Sequence, residues 1–214
     1  MSGGDLQTGA VLGSGLEVRR SGDGSVRLSG RFPYNSNAVL SDGGKSGRPI
    51  KERIAPGAFK HSIESEADIH FLAGHSFDRP LASKNSGSLQ FRDTPTGLEL
   101  VAMLTPAILR AAYAQDAIAQ IESGLVTGLS PGFRLPPDRA VPRDQAEQWE
   151  DEEDNPAEGM HRAKIRTILQ AILVELSLVT RPAYQESAVE MARAAPPPPC
   201  GMLLTSRHRR RWRV

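Results

Sequence analysis

From Val26 onward, short apolar runs alternate with turn residues: "VRLSGRF", "ADIHFLA", "GSLQFRD", "GLELVAML", "GLVTGLSPGFRL" and "ILQAILVELSLVT". Their length and their Gly, Asp and Pro punctuation predict strands. Two stretches carry a helical pattern instead. A short helix is expected at about Ala58 to Ser65, after "IAPGAF". A longer one opens with Thr105 as cap and Pro106 as its first residue. In the longer helix Leu109, Tyr113, Ala117 and Ile121 recur at spacing four, Ala114 and Ile118 widen the same face, and Gly124 stands where helices stop. The pattern predicts an α+β fold that is mainly β.

The flanks read differently. Residues 1–24 contain seven glycines and few large apolar side chains, too little burial to offset the entropy of ordering. They are expected to be a flexible start, with a central domain over 25–193. Within it, residues 136–162 are rich in proline and acid without apolar periodicity, which predicts an exposed insertion. Residues 194–214 form a tail, a proline run followed by five arginines among the last eight residues.

Composition narrows the function classes. The net charge is +1, so nothing in the bulk points to nucleic acid, although the basic tail offers nonspecific nucleic-acid contact. The single cysteine, Cys200, excludes an internal disulfide framework and a cysteine-based zinc site. Scattered histidines offer no metal-ligand cluster, so no cofactor is expected. The start lacks a basic, apolar leader, and no long apolar stretch occurs, which predicts a cytosolic protein with no membrane partner.

The chemistry concentrates at three places. Ser130 lies in "GLSPG", the G-x-S-x-G spacing of a nucleophile elbow. The elbow needs a backbone N–H after the serine, and Pro131 has none. It also needs a histidine that follows an acid, and only His161 and His208 come after Ser130. A hydrolase elbow is therefore a poor reading, and alone Ser130 reads as a strand-to-turn residue. His75 follows an apolar run and Gly74, and Asp78 and Pro80 mark a loop after it. His70, on the run itself, competes with it. Glu175 interrupts "AILVELSLV"; strand alternation sets Leu173, Glu175, Ser177 and Val179 on one face and Val174, Leu176 and Leu178 on the other. A buried carboxylate there needs a partner such as an arginine or a histidine.

Taken in order, "RPIKERIAPGAF", "LAGHSFDRPLAS", "GLELVAML", "IESGLVTGLSPGF" and "ILVELSLVTRPAYQESAV" resemble the prohead proteases of tailed bacteriophages, the capsid-maturation serine proteases. The similarity spans about Leu28 to Arg193. It implies an assemblin-like fold, a small, mostly antiparallel β-barrel with helices packed outside. It also implies that the nucleophile is Ser130, the histidine His75 and the acidic third member Glu175, with Asp78 as a local competitor. One departure is Pro131, where the family usually carries a small or branched apolar residue.

The resemblance further implies a serine endopeptidase that cuts the scaffolding region of the major capsid protein, and itself, inside assembling procapsids in the bacterial cytoplasm. Portal and other prohead proteins are further expected partners, as is a second copy of the chain. The basic tail is expected to be a docking extension removed by self-cleavage. Three rivals remain open: an inactive assembly or scaffold protein, a small-ester hydrolase using Ser130 and, on the basic tail alone, a nucleic-acid binder.

Overall fold

The computed structural model describes residues 7–8, 16–44, 47–126, 128–153 and 162–180. The fold is mainly β, and the described strands form three sheets. The first has the order β1 (Gln7–Thr8), β10 (Gly128–Arg134), β13 (Ile172–Val179), β6 (His70–Ala73), β7 (Ser76–Ser83). The second runs β11 (Glu147–Asp151), β12 (Lys164–Ile168), β5 (Ile50–Ile54), β4 (Ala38–Ser41). The third runs β2 (Glu17–Arg20), β3 (Val26–Pro33), β9 (Gly97–Leu104), β8 (Leu89–Thr94).

Most of the described strand pairs are antiparallel; β5 with β12 and β6 with β13 pair in parallel. No closed barrel is found among the described strands. The parallel ladder between β6 and β13 matters for chemistry, since it sets the end of β6 beside the end of β13.

The core explains why distant motifs occur together. Phe59, in the turn after β5, packs against Phe133 of β10 with ring centroids 5.9 Å apart, and Phe32 of β3 lies 6.3 Å from Phe59. All three are fully buried. "PGAF" and "SPGF" thus supply two rings of one aromatic cluster. Short helix α1 (Lys60–Glu64) follows, and its buried Ser62 accepts the N–H of Leu173 at 2.9 Å, fastening the start of β13.

The longer helix differs from its expected start. Thr105 is not its cap: the hydroxyl accepts the Ile108 N–H at 3.4 Å, ahead of a 3-10 turn, Ile108–Arg110, whose cap position is Ala107. Ala111 is extended, and helix α2 covers Ala112–Glu122. Ala114, Ala117 and Ile118 are buried as the periodicity requires, and the Tyr113 hydroxyl donates to the Pro80 carbonyl at 2.9 Å. Gly124, at φ +71°, turns the chain out of the helix toward β10.

Other segments are more ordered than their composition suggests. Glu17–Arg20 pairs with β3, so order begins before Val26. Asp78 and Pro80, expected to mark a loop, lie in strand β7, where Pro80 is tolerated because β7 is a sheet edge. Within the expected insertion, helix α3 (Arg143–Ala146) and β11 join the second sheet, with Glu147 buried. The remainder of that acidic stretch, 154–161, and the tail of 194–214 lie outside the described residues.

Candidate active site

The site begins as a tight turn. Ala73 at the end of β6 pairs with Ser76 at the start of β7, leaving Gly74 and His75 as a two-residue loop. Such loops need positive φ at both positions, and here the values are 65° for Gly74 and 59° for His75. Glycine adopts this conformation freely. Histidine does not, at a cost of about 1 kcal/mol or more that the surroundings must offset. They do so through β13: the Gly74 N–H donates to the Leu178 carbonyl and the His75 N–H to Ser177 Oγ, each at 3.0 Å. The turn is therefore pinned where the imidazole overhangs β13.

On β13, Glu175 and Ser177 point to the same side as that ring. The Glu175 carboxylate is fully buried. Its Oε1 accepts from His75 Nδ1 at 2.7 Å and its Oε2 from the Ser177 hydroxyl at 2.6 Å. Each carboxylate oxygen thus has a donor, which offsets the loss of water. Because a carboxylate only accepts, the proton of the neutral ring sits on Nδ1 and Nε2 is left as an acceptor. The His75 side chain is 29% exposed, so the ring bridges a buried acid and the surface.

Strand β10 brings the serine. In its antiparallel ladder with β13, Ser130 faces Ser177 and Gly132 faces Glu175. Opposed residues share a face of the sheet with their side chains about 5 Å apart at Cβ. Ser130, Ser177 and Glu175 therefore share the face onto which the His75 ring folds. Ser130 itself is buried, 1% exposed.

Gly132 is where the Glu175 carboxylate lies: a Cβ added there would stand 2.0 Å from Oε1. The second glycine of G-x-S-x-G thus makes room for the acid across the ladder. Pro131 lies opposite Leu176 in the ladder with β13.

Simple alternation fails at one point in this ladder. The register steps from Gly132–Glu175 to Phe133–Leu173 and skips Val174. This bulge turns Leu173 back into the core with Leu176 and Leu178, while Glu175 keeps facing the site. The expectation that residues 173 and 175 share a face is corrected accordingly.

The competing residues lie apart. The His70 ring packs edge-on against Phe77 at 5.9 Å, and its Nε2 is 3.9 Å from Asp68. Asp78 is exposed on β7. His161 and His208 fall outside the described residues. Ser177 was visible in sequence only as a neighbour of Glu175 in strand alternation, and Gly132 only as part of a spacing. The contacts of both depend on the cross-strand register.

A second buried polar cluster occupies the second sheet. Arg166 of β12 donates to Glu147 of β11 at 2.5 Å and to Glu52 of β5 at 3.0 Å, and Arg143 donates to Glu147 at 2.7 Å. Burial pushes the Glu52 carboxyl up, and Arg166 offsets this only in part. Burial acts likewise on Glu147, but hydrogen bonds from Arg166 and Arg143, with their charges, outweigh it and hold the group below its ordinary range. Among the described residues no group of three or more His, Cys, Asp or Glu is placed to hold a metal ion. No described helix is long and apolar enough to cross a membrane.

A serine and an imidazole–carboxylate pair gathered on one sheet face suit acyl transfer. No curated protein and no solved structure matches the chain. The family model of the caudovirus prohead serine protease matches residues 34–196, a span that holds His75, Ser130 and Glu175 and most of the described core. On that match the chain belongs to the caudovirus prohead serine proteases, the peptidases of phage capsid maturation.

Proposed function

We propose that the chain is a serine endopeptidase in which Ser130 is the nucleophile, His75 the general base and Glu175 the group that orients it. Its substrates are the scaffolding region of the major capsid protein and the chain itself. The observation that carries the assignment is the 2.7 Å bond from His75 Nδ1 to buried Glu175, on the sheet face that also bears Ser130.

In this reading Nε2 takes the Ser130 proton as Oγ attacks the peptide carbonyl carbon. The imidazolium returns that proton to the leaving amine as the C–N bond breaks. A water, deprotonated by the same nitrogen, then hydrolyses the acyl-serine. Pro131 has no N–H to give, so the oxyanion donors belong to other residues. Scaffold docking by the tail from about Ala192, and its removal by self-cleavage, belong to the same proposal, as does work inside the assembling procapsid. So does assemblin-like closure of the sheets, which is supported by one core drawing on all three: Phe71 and Leu129, Ile54 and Ile168, Leu28 and Leu98.

A second reading, a catalytically inactive assembly protein, is favoured by one observation, the 1% exposure of Ser130. Co-expression with the major capsid protein of the same phage separates the two. The protease reading expects N-terminal shortening of the capsid protein by wild type and none by Ser130→Ala. Full-length capsid protein with both favours the assembly protein. Intact mass tests the tail: the same C-terminus in wild type and Ser130→Ala would remove self-cleavage from the proposal.

A further inference from the structure

Ser177 has more contacts in the site than any reading of the motif assigned to it. It is fully buried, lies directly across the ladder from Ser130, and bonds the Glu175 carboxylate and the His75 backbone. Its hydroxyl donates to Glu175 Oε2 at 2.6 Å and accepts the His75 N–H at 3.0 Å. One O–H thus holds the carboxylate by its outer oxygen and the strained turn by its backbone.

We infer that Ser177 is a positioning residue of the catalytic site: it fixes the rotamer of Glu175 and the left-handed turn at His75 so that Nε2 is presented toward Ser130. This rests on the proposed roles of Ser130, His75 and Glu175. The chemistry favours it over a packing role. An apolar side chain would fill the same space but would leave the His75 N–H and the buried Glu175 Oε2 without these partners, and at the buried carboxylate a lost charged hydrogen bond is expensive. It also separates Ser177 from the nucleophile. The Ser177 proton is directed at a carboxylate oxygen, and the ring nitrogen nearest to that carboxylate is Nδ1, which is already occupied as a donor. Ser177 therefore has no free base, whereas Nε2 is left for Ser130.

Threonine and valine at this position differ only in hydroxyl against methyl, so comparing them cancels packing. The test is steady-state peptide cleavage by wild type, Ser177→Thr and Ser177→Val, together with the ring ¹⁵N and Nδ1–H resonances of His75. Ser177→Val is expected to lose about 10- to 100-fold in kcat with little change in KM, the worth of one charge-assisted hydrogen bond. It is also expected to lose or broaden the downfield Nδ1–H signal. Ser177→Thr is expected to stay within a few-fold of wild type and to keep the signal. Equal effects of Thr and Val on rate and resonance would reduce Ser177 to packing and overturn the inference. So would abolition of serine-directed labelling in both variants with an intact Nδ1–H signal, since Ser177 would then be the reacting serine. If wild type itself cleaves nothing, the protease reading fails, and the resonances still decide whether the Ser177 hydroxyl sets the ring.

Discussion

Among the described residues, two buried carboxylate clusters are completed in opposite ways. Around Arg166, Glu52 and Glu147 meet a guanidinium, a cation that keeps its proton at any ordinary pH and offers several donors in a fixed fork. Around Glu175 the donors are a hydroxyl and an imidazole. The first arrangement exhausts itself in holding β5, β11 and β12 together. The second occupies only one ring nitrogen of His75, whose side chain is partly exposed. Burial of an acid is therefore no sign of catalysis by itself; what matters is whether its partner has a second, titratable atom to offer.

The comparison predicts that damage separates cleanly between the two clusters. His75→Ala should lower peptide cleavage by about 10⁴-fold or more while lowering the thermal transition less than Arg166→Ala does, as followed by a peptide assay and circular dichroism. Gly132→Ala comes next. Its Cβ would enter the space of Glu175 Oε1, so the acid must move; kcat should fall by about 10²-fold, the scale of a 1 Å misplacement, with a stability loss of about 1–3 kcal/mol.

Arg166→Ala is expected to reverse the pattern. It leaves two carboxylates buried without their shared cation, costing about 3 kcal/mol in denaturant unfolding, while the kcat of the folded fraction stays near that of wild type. The smallest effect concerns pH. Glu147 is held below the ordinary 4.5, so its contribution is fully present above that value and is lost as pH falls through the folded-state value. The stability gap between wild type and Glu147→Gln, read from urea midpoints, should be widest near neutrality and narrow below pH 4.5. A gap that widens in acid would contradict the sign.

Much of this could be read from residue order, and the parts that could not share a cause. Strand runs such as "GLELVAML" and the helical face of Ala114, Ala117 and Ile118 announce themselves because their period matches their burial. Glu175 stood out because an acid among Leu173, Leu176 and Leu178 demands a partner. Which partner depended on the parallel ladder between β6 and β13, a long-range pairing with no local signature. The Val174 bulge was hidden for a similar reason, since unbroken alternation looks the same with or without one extra residue. Gly132 shows the limit most clearly. Its role is to lack a side chain opposite Glu175, and spacing within its own segment cannot express that. The strand at Glu147–Asp151 escaped notice because only Glu147 is buried there and the other four residues face solvent.

The central claim is that Ser130, His75 and Glu175 act as one nucleophilic unit. A fluorophosphonate probe with intact-mass and peptide-mapping readout tests it most directly. Wild type should gain one adduct, mapped to Ser130, with labelling absent in Ser130→Ala and slowed by orders of magnitude in His75→Ala. An unlabelled wild type, or an adduct on another residue that persists in Ser130→Ala, would contradict the claim.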